Sequence, residues 1–163
     1  MYIFECRYST FIYIDMSFET NNNPDNDAPV YSIGVLADLL GISVQTLRLY
    51  ESEGLIIPYK KDSGHRLYSH NDLMRLHCIR DAVTNKKLSL SSIKTLYSMI
   101  PCWSIKGCSE DQRAVCEAYN GVMEPCWSYK HKSNECESTD CRLCDVYKNH
   151  NNCESIKNSI KSI

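Results

Sequence analysis

Between Tyr31 and Ile100 the hydrophobic positions recur every three or four residues, the period of helices that bury one face. Ile33, Leu36, Ala37 and Leu40 form a first stripe, with Ser32 placed to cap it and Gly41 placed to end it in a left-handed turn. A second short helix opens at Ser43 and closes at Gly54, with Val44, Leu47 and Tyr50 on one stripe and Gln45, Thr46 and Arg48 off it. Two helices this short, joined by a tight turn containing glycine, predict a helix-turn-helix. The run LIIPYKKDSGHRLYS then offers two extended pieces around Asp62-Ser63-Gly64, a hairpin turn composition. Ser69 and Asp72 read as a capping box for a third helix carrying Leu73, Leu76 and Ile79. A fourth helix, roughly Ser89 to Ile100, carries Leu90, Ile93, Leu96 and Tyr97 and stops at Pro101.

Outside this block the pattern weakens. Residues 1–30 are apolar in patches broken by Glu5, Arg7 and Asp15, which leaves no continuous signal-peptide core. Their polar end, NNNPDNDAP, predicts a flexible linker, and Met16 is an alternative translation start. In the tail, Ile156, Ile160 and Ile163 fall at helical spacing, as in a fraying end or a small docking strip. No run of about 18 apolar residues occurs, so a cytoplasmic protein without a membrane span is expected.

Charge sharpens this picture. Residues 1–30 carry one base against five acids, residues 31–100 nine bases against six acids, and residues 101–163 eight against nine. The formal net charge of −2 therefore hides a basic middle, where an anionic partner such as nucleic acid would bind. Gln45, Thr46 and Arg48 are residue types that read base edges and phosphates. Lys60, Lys61, His65, Arg66 and Tyr68 would stud a hairpin wing well placed to hold sugar-phosphate.

The chain has 163 residues and ten cysteines, seven of which crowd one stretch: Cys102, Cys108, Cys116, Cys126, Cys136, Cys141 and Cys144. The same stretch is a duplication. Pro101-Cys102-Trp103-Ser104-Ile105-Lys106 returns as Pro125-Cys126-Trp127-Ser128-Tyr129-Lys130, and Cys116-Glu117-Ala118-Tyr119 returns as Cys144-Asp145-Val146-Tyr147. Cys108 and Cys136 fall between the anchors, and Cys141 is unmatched. Units of about 20 residues cannot bury independent cores. A bound metal is the natural staple in a reducing compartment, so the seven cysteines are candidate ligands. Only Cys141 and Cys144 show the paired spacing of zinc knuckles, while iron–sulfur clusters tolerate looser spacing; zinc and an iron–sulfur cluster both stay open. His131 and His150 are possible extra ligands or ordinary surface histidines, and Trp103 and Trp127 are expected to pack small cores.

The run from Tyr31 to Leu76 resembles the winged-helix DNA-binding domain of the MerR family of bacterial transcription regulators. The resemblance rests on Ile33-Gly34 with Leu36-Ala37, Thr46-Leu47-Arg48 with Tyr50-Glu51, Gly54-Leu55-Ile56 with Pro58, Gly64 with Arg66 and Tyr68, and Asp72-Leu73 with Arg75-Leu76. It implies that Gln45, Thr46, Arg48 and Tyr50 face the major groove while Lys60, Arg66 and Tyr68 grip phosphates. Leu49 stands where many members have a second tyrosine, and Lys60 where many have arginine, which should loosen that contact. Members bind promoter DNA as dimers and act on RNA polymerase, usually dimerising through a long antiparallel helix after the fourth. Pro101-Cys102-Trp103 forbids such a helix here, so a homodimer would need another surface. The tandem Cys-Trp pattern is similar to a small cysteine-rich module attached to bacterial regulatory domains.

The expected fold is mainly α: a winged helix-turn-helix of four helices plus a β-hairpin wing, followed by a small metal-stapled module. The divisions are a flexible segment (1–30), the DNA-binding domain (31–100), the duplicated module (101–147) and a tail (148–163). The expected function is transcription regulation with metal, iron–sulfur or redox sensing, coupled through Met99, Ile100 and Pro101. Alternatives are an architectural, excisionase-like DNA binder with a purely structural metal and, third, a thiol oxidoreductase using Cys141 and Cys144. No catalytic arrangement with a scaffold is visible, so an enzyme is not expected.

Overall fold

In the computed structural model, which describes residues 24–132 and 134–161, the chain is mainly helical with one small antiparallel sheet. Each of the first four helices starts where a serine stands. Ser32 caps α1 (Ile33–Leu40), Ser43 caps α2 (Val44–Ser52) and Ser89 caps α4 (Leu90–Ser98); each hydroxyl accepts a backbone N–H from the first turn. Ser69 and Asp72 form a complete capping box at α3 (His70–Thr84). Gly41 ends α1 at φ +60°, and the chain turns by 104° into α2.

The wing is larger than the expected hairpin. β2 (Tyr59–Lys60) and β3 (Arg66–Tyr68) pair in the register Tyr59 to Leu67, with Gly64 at φ +78° closing the turn onto the Lys61 carbonyl at 2.8 Å. A third strand, β1 (Tyr31–Ser32), joins the other edge of β3 in the register Tyr31 to Tyr68. Two residues are too few for a period-2 pattern, so β1 is invisible in the sequence.

Part of the predicted flexible linker is ordered. Pro24–Asp27 makes a 3₁₀ turn, and the Asp27 carboxylate accepts from Asn71 Nδ2 at 2.7 Å and pairs with Lys148 at 2.8 Å. These partners come from distant segments, which a local reading of an Asn/Asp/Pro tract cannot see. Residues 1–23, including Met16, lie outside the described residues, as does Ile163.

After Pro101 the chain breaks into short pieces: α5 (Cys102–Lys106), α6 (Glu110–Ala114), α7 (Glu117–Asn120), 3₁₀ turns at Cys126–Ser128 and Cys141–Leu143, α8 (Asp145–Lys148) and α9 (Cys153–Lys161). The duplication is structural. Cys116 and Cys144 sit at the N-caps of the equivalent helices α7 and α8. In the first copy Trp103 meets Tyr119 edge-on at 5.1 Å, and in the second Trp127 meets Tyr147 edge-on at 5.3 Å.

The two copies differ in what lies behind them. The first is peripheral, whereas the second is built into the main core: Val146 and Tyr147 are buried, and Trp127 packs on the core at 5.5 Å from Tyr97. The centre of this seam is Arg75 of α3, 1% exposed. Its guanidinium lies 4.0 Å from the Tyr147 ring, 5.5 Å from Trp127 and 5.6 Å from Tyr97, and Nη2 donates to the Tyr147 carbonyl. The module is thus a continuation of the core, and the expected junction at Met99, Ile100 and Pro101 is one contact among many; Met99 itself is exposed. In the tail, Ile156 of α9 packs against the core, whereas Ile160 is exposed.

Candidate functional site

Two surfaces stand out. On α2, the Ser43 cap fixes the first turn and Leu47 anchors the inner face, fully buried. Gln45 and Arg48 consequently point outward and are exposed, and Thr46 is half-buried with its hydroxyl 2.9 Å from Ser43 Oγ. On the wing, Lys60, Lys61 and His65 are exposed. Glu51 of α2 ties these two elements together: Oε2 accepts from Arg66 Nε at 2.8 Å and Oε1 accepts from the Tyr68 hydroxyl. Arg66 is therefore pinned by one edge while its side chain stays 39% exposed.

Tyr50 and Tyr68 do not belong to this surface. Tyr50 is 4% exposed and Tyr68 fully buried; both rings pack in the core. Burial pushes both phenols up, and the Glu51 carboxylate pushes Tyr68 further. The apolar stripe had placed Tyr50 inward, as the structure has it, and this burial stands against the groove role implied for it by resemblance. Tyr68 sits at a strand position facing the core rather than the solvent.

Residues 31–100 match the family described as MerR HTH family regulatory protein. Those residues are a MerR-type helix-turn-helix domain. Over 68 residues the chain is 46% identical to a protein named HTH-type transcriptional regulator ZntR homolog from Haemophilus influenzae, covering 41% of this chain and 50% of that protein. It is 33% identical over 72 residues to the HTH-type transcriptional regulator GlnR of Bacillus cereus (44% and 55%), and 34% identical over 73 residues to the putative heat shock protein HspR of Streptomyces coelicolor (45% and 48%). The chain thus spans about half the length of the curated relatives it matches. No solved structure matches it.

The second surface lies beyond the MerR-type domain. Cys102, Cys108, Cys116, Cys126, Cys136, Cys141 and Cys144, separated by up to 42 positions, all line one open cavity. All seven are partly exposed and free of disulfides. The remaining wall is aromatic and aliphatic, with Arg113, His131, Asn134 and Thr139 as its polar members and no carboxylate among the described residues. Asn134 positions two of the cysteines: Nδ2 reaches Cys116 Sγ at 3.6 Å, and Oδ1 accepts from the Cys136 backbone N–H at 2.9 Å. His131 Nε2 lies 2.9 Å from the Cys126 carbonyl. His150 is neither a ligand nor a surface residue: it is 2% exposed, bound to the Val146 carbonyl at 2.7 Å and Ser159 at 2.6 Å.

Neighbours set the thiols apart. Cys102 is held below the usual thiol range, chiefly by a hydrogen bond with the Cys126 thiol. Cys126 is pushed up by the same bond and then by burial. Burial raises Cys108 and Cys141, and pushes Cys136 up to about 11. Among the described residues no three His, Cys, Asp or Glu side chains are close enough to hold one metal ion. The Cys141–Cys144 pair spans a 3₁₀ turn leading into a four-residue helix, without the strand that a dithiol enzyme sets before its motif.

Sequence reasoning missed the residues that join the module to the MerR-type domain. Arg142 donates to the Ile57 carbonyl at 2.6 Å and to Asp72 Oδ2 at 2.8 Å. The Tyr147 hydroxyl accepts from Ile57 N at 2.9 Å and donates to Asp72 Oδ1 at 3.3 Å. Trp127 Nε1 donates to the Gly54 carbonyl at 2.8 Å. All of these land on the α2–β2 link, between α2 and the wing, or on Asp72 beside it. The repeated Trp and Tyr were the visible signal; their target was not.

Proposed function

We propose that this chain is a DNA-binding transcription regulator whose cysteine cavity holds a metal cofactor, an iron–sulfur cluster or zinc, and reports metal or redox state to the DNA-binding surface. The observation that carries the DNA reading is one rigid unit with two polar outer faces: exposed Gln45 and Arg48 on a capped helix, and exposed Lys60, Lys61 and His65 on a wing locked to that helix by Glu51. Gln45, Thr46 and Arg48 read base edges in the major groove, while Lys60, Lys61, His65 and the free edge of Arg66 hold phosphates. The partner is double-stranded promoter DNA, with RNA polymerase acting on the complex. A homodimer would form through the module or through neighbours on DNA, since α4 is followed by a helix of five residues.

The excisionase-like alternative uses the same surface with an inert module. The contacts of Trp127, Arg142 and Tyr147 on the Gly54–Ile57 link favour regulation, because any rearrangement of the second copy moves the joint between helix and wing.

The test is Arg48→Ala in fluorescence anisotropy with duplexes from the host's own promoters at fixed salt. Affinity falls by about 5- to 150-fold, the loss of one base-edge contact worth about 1–3 kcal/mol, with metal content unchanged. Wild-type protein that shows no salt-dependent duplex binding, or an Arg48→Ala chain that binds equally well, refutes the reading.

A further inference from the structure

The proposal here rests on the reading that the cavity holds a metal cofactor, and asks which kind. A duplicated sequence could build two sites, one per copy, yet all seven thiols face one cavity. Cys102 and Cys126 hold equivalent positions in the two copies, and both line the same cavity wall. The two copies therefore face one space rather than one each. The unmatched Cys141 stands three residues before Cys144, where the first copy has Arg113 before Cys116; both of these side chains also line the cavity.

A lone zinc ion fits poorly. Tetrahedral coordination with Zn–S bonds of about 2.3 Å brings neighbouring sulfurs to about 3.8 Å, and four are needed. Among the described residues not even three candidate ligands gather at single-ion range. A polynuclear cluster carries its own bulk of metal and sulfide between the thiolates, so its ligands stand farther apart, around a cavity rather than a point. The walls agree: among the described residues no carboxylate lines the cavity, which does not suit a hard cation, and loosely spaced thiolates are a set that iron–sulfur clusters accept.

Charge gives an independent argument. Arg75 is 1% exposed, its Nε and Nη1 lack hydrogen-bond partners, and Asp72, the carboxylate that shares a small pocket with it, is ion-paired with Arg142 instead. A buried cation without an anion is costly. It packs against Trp127 and Tyr147, and those two residues line the cysteine cavity. A thiolate-ligated cluster is anionic and would stand on the far side of the same rings.

We infer that the two copies close around one shared polynuclear iron–sulfur cluster, ligated by thiolates from both copies, with Arg75 as its buried counter-charge.

The experiment loads the full-length chain anaerobically, in parallel, with ferrous iron plus sulfide and with zinc. Iron and acid-labile sulfide are retained in equal amounts with visible absorption, and Cys102→Ser and Cys126→Ser each abolish the whole absorption. An Arg75→Met chain that keeps the cluster shows a more negative reduction potential, and an unchanged potential removes Arg75 from the site. Loss of half the metal in each cysteine variant overturns the shared site. Stoichiometric zinc with no retained sulfide overturns the cluster while leaving a metal-binding regulator. Uptake of neither metal by the wild-type chain, which needs no variant to fold, refutes both this inference and the metal part of the function proposed above.

Discussion

Replacing Arg142 by alanine probes the seam between module and DNA-binding domain most directly. The Arg142 side chain is 10% exposed and its partner Asp72 3%, so the pair is shielded from water. Its removal strips the Ile57 carbonyl and one oxygen of a buried carboxylate of a charged donor. Breaking a fully buried pair from one side costs about 3–5 kcal/mol. Here Asp72 keeps two partners, the Ser69 N–H at 2.8 Å and the Tyr147 hydroxyl at 3.3 Å, which lowers the expected loss to about 2–3 kcal/mol. In a chain of this size that is a fall in Tm of roughly 5–10 °C. Urea unfolding followed by far-UV circular dichroism reports the helices, and tryptophan fluorescence reports the module, because both tryptophans of the chain lie in it. In wild type the two transitions coincide, since the second copy shares the core. In a cycle with Asp72→Asn, the double variant loses less than the sum of the single ones by about 1 kcal/mol. A loss under about 0.5 kcal/mol with an additive cycle would refute the claim that this pair holds the module in place.

Three further outcomes follow from the same geometry. Gly54→Ala places a Cβ 2.8 Å from Ser128 Oγ at a backbone φ of +69°, so stability falls by about 1–2 kcal/mol in denaturant titration and Ser128→Ala, which removes only the clash, restores part of it. Tyr50→Phe leaves duplex affinity within about twofold in anisotropy, because the ring is buried and cannot touch a groove; a large loss would return Tyr50 to the DNA surface. His150 has its pKa lowered, first by burial, so its neutral form is the folded one. That contribution is complete above the unfolded value of about 6.5 and is lost as pH falls through it towards the lower folded value, by at most about 1.4 kcal/mol per pH unit. Thermal scans between about pH 7.5 and 5.5 show this slope, and His150→Gln flattens it.

The local devices of the fold were legible because each is written in a few adjacent residues. The serine caps at Ser32 and Ser43, the capping box at Ser69 and Asp72, the glycine turns at 41 and 64 and the stop at Pro101 all appear as expected, since capping and left-handed turns depend on neighbours one to four positions away. The outward set Gln45 and Arg48 was legible for the same reason. The duplication was legible as a repeated Cys-Trp and Cys-x-x-Tyr pattern, and it was packing that paired Trp103 with Tyr119 and Trp127 with Tyr147.

What only the tertiary structure decided is where the two copies go. Arg75 reads as a polar interruption on α3, and nothing nearby says that it is buried; it becomes so because Trp127 and Tyr147, more than 50 positions later, roof it over. The same long-range packing orders Asp27, turns Asp72 from a cap into an anchor for Arg142, buries Tyr68 against Glu51 and brings seven scattered thiols to one cavity. Periodicity and caps are short-range and survive in one dimension; burial of a charge and convergence of ligands are set by chain crossings, which leave no period to read.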